Sequence, residues 1–270
     1  MTDRPPPEAS NVTPGHFTRP DTPLPQPPGF FAGDGIPQGL VRQSGVVLRR
    51  EISAEGNVSL YLFLKEIGPV WISAPGASRG RIRFGGAIEP LVWANFNLYK
   101  GTKRFYLKSV DIKEDFWALR ADPEKIRTML EWDRMLCRHL VPGLPCDEVL
   151  AIFYWSGMLL KEGVSPTVAE WRFLWKWLNS WGIAPSLDFC SGCGAPLSDA
   201  RLSASGLLCP ACYRRNEGTL LPEKALVLMR KAVGSPVNRM GELFPAEVFP
   251  GGSLWEDANC RLRLFFNAMQ

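Results

Sequence analysis

Four of the chain's seven cysteines stand as two Cys-x-x-Cys pairs, Cys190 with Cys193 and Cys209 with Cys212, with fifteen residues between the pairs. Thiolates are soft donors, each pair can grip one ion from a tight turn, and two such knuckles complete a tetrahedron around zinc. Gly192 and Gly194 lie within and just after the first pair, where a knuckle calls for positive φ, and Gly206 sits where the intervening segment must turn back. Four sulfurs fill every position of a tetrahedral ion, whereas a catalytic zinc keeps one open, so the spacing predicts one structural Zn2+ per chain. A redox dithiol and a pair of disulfides are the competing chemistries. A redox pair normally opens a helix, but here the first pair runs into Gly194 and Pro196 and is answered by a second pair.

The elements around the cysteines read as helical. In ADPEKIRTMLEWDRMLCRHL, Asp122 caps and Pro123 takes the first helical position, followed by a stripe of Ile126, Met129 or Leu130, Asp133, Leu136 or Cys137, and Leu140. Asp133 is its one polar member. A second helix is expected from about Cys146 to Glu162. A third opens at Ser165-Pro166, ends at Gly182 and aligns Val168, Trp171, Trp175, Leu178 and Trp181 as a core face rather than a stacking platform. Two more follow at EKALVLMRKAV and LWEDANCRLRLFFNAM. Cys137, Cys146 and Cys260 fall on or beside apolar positions and read as core residues. Of the two histidines only His139 lies in this region, at a helix end, so a histidine-dependent triad has almost nothing to draw on.

Between residues 40 and 115 the texture is that of strands. GVVLRREI, NVSLYLFLKE, PVWISAPG, AIEPLVWANFNLYKG and RFYLKSVDIKE succeed one another, with turns expected at Glu55-Gly56-Asn57, Gly68-Pro69, Gly85-Gly86 and Gly101-Thr102. Five strands in so short a span predict a small closed barrel. In the second strand Val58, Leu60, Leu62 and Leu64 alternate with Ser59, Tyr61, Phe63 and Lys65. This predicts an aliphatic interior and an outer face, partly aromatic and basic, open to bases and phosphates.

Residues 1–39 hold ten of the 24 prolines and few bulky apolar residues. Such a segment cannot offset the entropy of ordering, so a disordered proline-rich arm is expected, its PLPQPP piece serving as linker. No apolar run reaches the ~20 residues of a membrane span and no secretory signal opens the chain, and seven cysteines, four of them spaced as metal ligands, suit a reducing compartment. A cytoplasmic protein is expected.

The net charge of +4 is unevenly distributed: residues 40–110 carry eleven Lys and Arg against four Glu. Arg79, Arg81 and Arg83, two apart, fall on one side of an extended loop beside Phe84. Arg49 and Arg50 end the first strand, and Lys100, Lys103, Arg104 and Lys108 surround the last hairpin with Tyr99, Phe105 and Tyr106 interleaved. Guanidinium groups fork onto phosphates and aromatic rings stack on unpaired bases, so these basic residues and Phe84 are the candidate nucleic-acid contacts. No P-loop, spaced carboxylate pair or nucleophile elbow is present to support an enzyme.

The order of these features resembles the RecO recombination-mediator family. The resemblance rests on GVVLRR, on LFLKEIGPVWISAPGASRG leading into GAIEPLVWANFNLYKG, on the helical block, and on the cysteines of FCSGCG and GLLCPACY. It implies an α+β, multidomain chain: an N-terminal OB-fold β-barrel over 40–115, then an α-helical domain over 116–270 with an inserted four-cysteine zinc knuckle pair at 189–213. It further implies binding of single- and double-stranded DNA, annealing of complementary strands, partnership with RecR and single-stranded-DNA-binding protein to load the recombinase, and association with the nucleoid. The proline-rich arm is a departure, since members usually begin close to their first strand. The alternative reading is an RNA- or ribosome-associated OB-fold protein with a structural zinc knuckle, because such barrels take RNA equally well. A zinc hydrolase is opposed by the all-thiolate ligand set.

Overall fold

The computed structural model describes residues 35–54, 56–77, 83–213, 218–247, 249 and 252–267. The expected arm, up to residue 34, lies outside them. Five strands follow from the alternation: β1 (Gly39–Ile52), β2 (Val58–Leu64), β3 (Gly68–Ala74), β4 (Trp93–Lys100) and β5 (Phe105–Glu114). They close into a barrel in the order β1-β2-β3-β5-β4. Closure depends on the length of β1, which pairs with β4 through residues 39–46 and with β2 through residues 45–52, with a shift of register between Val47 and Arg49. A short parallel contact, Ile72 with Phe105 and Ser73 with Tyr106, joins β3 to β5. Val58, Leu60, Leu62 and Leu64 point inward, as the alternation requires, and meet Ile72, Phe96, Leu98, Phe105 and Leu107.

Three local expectations shift. The first strand begins at Gly39, six residues before Gly45. The Gly68-Pro69 dipeptide opens β3, and the chain reverses just before it, where Glu66 has φ 62°. Residues Gly85–Ile88 form a 3-10 turn that precedes β4 rather than the start of that strand.

The larger correction concerns the outer face of β2. Tyr61 and Phe63 are 6% and 0% exposed, packed with Val46, Leu48, Leu91 and Trp93 of the barrel against Phe116, Trp132, Leu136 and Phe153 of the following segment. The outward face of β2 is therefore an internal seam. Burying an aromatic ring of this size contributes about 2 kcal/mol, so helices with an exposed apolar side cover it. Trp93 lies 5.8 Å from Phe153 and 5.0 Å from Tyr154 between ring centroids. Two backbone amides tie the rim: Gly143 N–H donates to the Pro69 carbonyl at 2.7 Å and Glu66 N–H to the Asp147 side-chain Oδ1 at 2.8 Å.

Beyond β5 the chain forms α1 (Pro123–His139), α2 (Asp147–Lys161), α3 (Pro166–Ser180), α4 (Glu223–Gly234), α5 (Met240–Leu243) and α6 (Ser253–Asn267). A three-stranded sheet of β6 (Ala200–Ser203), β7 (Gly206–Leu208) and β8 (Thr219–Leu221), ordered β7-β6-β8, is inserted between α3 and α4. Asp122 caps α1 by accepting from the Glu124 and Lys125 amides. α3 is buried over more than the expected stripe: Trp171, Phe173, Leu174, Trp177 and Leu178 are all inaccessible, while Trp175 and Trp181 sit half-buried at its edge. Arg263 of α6 pins α3 and α1 together through Glu170 and Glu131. Cys137 and Cys146 are half-buried, but Cys260 is exposed and is not a core residue, because the α6 face that carries it turns away from α3.

Candidate metal centre and nucleic-acid interface

The two knuckles meet as their spacing requires. The sulfurs of Cys190, Cys193, Cys209 and Cys212 all lie within 4.8 Å of one another, and all four cysteines are free thiols. Each knuckle is closed by its own backbone, with Gly194 N–H donating to the Cys190 carbonyl at 2.9 Å and Cys212 N–H to the Cys209 carbonyl at 2.9 Å. Gly194 and Gly206 have φ of 73° and 108°. Gly192 does not; its lack of a side chain serves close approach, since a Cβ there would stand 3.2 Å from the Cys212 sulfur. Cys190 and Cys209 are buried and Cys193 is exposed, so one side of the cluster belongs to the helical core.

The donor set fits a cation. The amides of Cys209 and Gly192 donate to the Cys190 sulfur at 3.3 Å each, and such donors, that of Cys209 first, hold its thiol down at about 6. The sulfurs of Cys193, Cys209 and Cys190 crowd Cys212 and push it up to about 12. Four thiolates this close would repel one another, so the quartet is a set of donors that could hold a metal ion. A clamp outside the motif fixes the cluster to the helices: Arg230 of α4 donates to the Leu187 carbonyl at 2.9 and 2.7 Å and to that of Leu197 at 2.9 Å, and pairs with Asp188. The sequence carried no signal for it.

The candidate nucleic-acid contacts separate into groups. Arg79 and Arg81 lie outside the described residues. Arg83 is exposed, donates to the Lys108 carbonyl at 3.1 Å and holds its guanidinium 5.1 Å from the Phe84 ring centre; Phe84 packs partly against the barrel interior. Lys103 and Arg104 are exposed at the tip of the β4–β5 hairpin, and the Lys108 ammonium sits 5.3 Å from the Tyr99 ring centre.

Three others are engaged by groups of the protein itself. Lys100 is buried, 7% exposed, and donates to the Ile36 carbonyl, because its strand position faces inward beside Phe105. Arg49 is half-buried at the seam, where its charge bears on Asp133, Cys137 and Tyr61. Arg50 is paired with Glu89. The structure thus gathers Arg83, Lys103, Arg104 and Lys108 at the β4–β5 end of the barrel and withdraws Lys100 and Arg49 from the open surface.

Residues 157–249 match the family model described as Recombination protein O C terminal. The chain is 26% identical over 213 residues to the DNA repair protein RecO of Acetivibrio thermocellus, covering 77% of this chain and 84% of that one. It is 35% identical over 182 residues to the DNA repair protein RecO of Anaeromyxobacter dehalogenans, covering 64% and 70%. A third relative of the same name, from Anaeromyxobacter sp. strain K, is 34% identical over 179 residues, again covering 70% of its length. Identity of 34–35% over 70% of a relative's length is that of common descent, and the chain belongs to the DNA repair protein RecO family.

Proposed function

We propose that this protein is a DNA-binding recombination mediator that does no covalent chemistry. In this reading residues 40–115 are an OB-fold that takes DNA, and residues 116–270 are a helical domain whose four thiolates hold a structural zinc. The strand order β1-β2-β3-β5-β4 supports the OB-fold. An all-sulfur donor set, with no histidine and no position left for water, supports a structural ion of zinc type.

The observation that carries the reading is Lys108 over Tyr99, with Lys103 and Arg104 exposed on the same hairpin, in a member of a DNA-repair family. Cations attract phosphates over a Debye length, and aromatic rings hold bases. Relatives bear the name DNA repair protein RecO, and the role that fits this protein is annealing complementary strands and, with RecR and single-stranded-DNA-binding protein, loading the recombinase. The protein mixed with complementary strands coated by single-stranded-DNA-binding protein should speed duplex formation and should retain RecR on a column. Preferential binding of structured RNA with no annealing would overturn this and favour a ribosome-associated role.

A further inference from the structure

In five-stranded barrels of this order, single strands commonly cross the face made by the second and third strands and the loops beside it. The part of that face that carries Tyr61 and Phe63 is closed here. Tyr61 and Phe63 are buried under the helices, and Trp71 of β3 is half-buried and stacked on Tyr61 with ring centres 4.9 Å apart. Opening it would lift the helices off the core that holds Trp93, Phe116 and Phe153.

The opposite side is open. Leu40 of β1 stands beside Tyr99 of β4, and Tyr99 beside Tyr106 of β5, so all three side chains share one outer face. Leu40 is 80% and Tyr99 40% exposed. Lys108 lies over Tyr99, and Lys103 and Arg104 project from the adjoining hairpin; among the described residues none of the three is paired with a carboxylate. β4 contains no acid, and the first in β5 is Asp111, which is occupied by Arg42, Lys113 and Asn95.

We propose that an unpaired polynucleotide strand crosses the β1-β4-β5 face, its bases stacked on Tyr99 and Tyr106 and its phosphates held by Lys103, Arg104 and Lys108. This placement rests on the proposed DNA binding and adds a selectivity to it. A duplex hides the faces of its bases within its own stack, so the tyrosines serve single strands alone while the cations serve both forms. Leu40, too small to stack, leaves an apolar shelf against a third base or a sugar.

The full-length protein would be titrated with a fluorescent thirty-residue oligo-dT and with a duplex of the same length at two salt concentrations. Tyr99→Ala and Tyr106→Ala should each weaken oligo-dT binding about tenfold, with the salt slope and the duplex affinity unchanged. Tyr99→Phe should bind as wild type. An oligonucleotide carrying 5-iodouracil should cross-link to the peptide holding Tyr99 or Tyr106. Wild-type affinity in both alanine variants, equal losses for single strand and duplex, or cross-links confined to Trp71 would overturn the placement while leaving DNA binding intact. A wild-type protein that binds neither probe would overturn the proposed function itself.

Discussion

Gly68 and Leu144 meet backbone to backbone: a Cβ on Gly68 would stand 2.1 Å from the Leu144 carbonyl oxygen. The contact joins the start of β3 to the loop between α1 and α2, one residue from the bond between Gly143 N–H and the Pro69 carbonyl. The barrel and the helices are thus fitted by backbone as well as by the apolar seam. Gly68→Ala would both force this contact apart and place a side chain at φ 81°. We expect a loss of about 3 kcal/mol in urea unfolding, of the size seen when strained backbone and overpacking combine. A loss under about 0.5 kcal/mol would mean that the seam yields freely.

Within the same seam Asp133 is buried, its Oδ1 without a hydrogen-bond partner among the described residues. Burial raises its carboxyl to about 8 against the attraction of Arg49 and Arg134. Because the folded pKa lies above that of the unfolded chain, the native state holds the proton more tightly, and Asp133 costs stability progressively as pH rises from about 4 to 8. Asp133→Asn carries no such cost. Melting temperatures of the two proteins should diverge in favour of the variant as pH is raised across that window, and parallel curves would show that Asp133 is charged throughout.

Removing a cluster sulfur should act through folding. If the quartet holds zinc as proposed, Cys190→Ser or Cys209→Ser removes one of its four donors, so the variants should lose bound metal and melt earlier. Metal analysis of the wild type should return one zinc per chain. A value far below one would end the structural-zinc assignment.

Arg230 offers a separate test of how the cluster is held. Lysine cannot reproduce the forked donation to the Leu187 and Leu197 carbonyls. Arg230→Lys should therefore cost about 2 kcal/mol and expose residues near 190 to protease while zinc stays bound. Loss of zinc together with the clamp would mean that α4 shapes the knuckles themselves.

Much of this architecture was legible in the residues. Alternation in β2 identified its interior, Asp122-Pro123 marked the start of α1, and the cysteine spacing assembled the quartet. What escaped has a common cause, in that periodicity tells which residues turn inward but not what covers the other side. Tyr61 and Phe63 looked like an open face until the helices, remote in sequence, were seen to close it. Lys100 looked like a surface cation because lysine at a strand end usually is one. Gly68 and Gly192 are required by neighbours that only the folded chain supplies, and Arg230 by carbonyls that no motif encodes.

Lys100 and the pair Lys103 and Arg104 lie within five residues yet should behave oppositely. Lys103→Glu with Arg104→Glu alters two exposed side chains at a hairpin tip, so the barrel should keep its stability. Oligo-dT binding should weaken and its logarithmic salt slope should fall by about 1.4 in magnitude, since each neutralised phosphate of a single strand contributes about 0.7. Lys100→Met instead leaves the Ile36 carbonyl without its donor inside the barrel end. It should lower the melting temperature, because an unsatisfied buried acceptor costs about 1–3 kcal/mol, and leave the slope as it was. A slope that falls with Lys100→Met, in a protein of undiminished stability, would return that ammonium to the phosphate-binding surface.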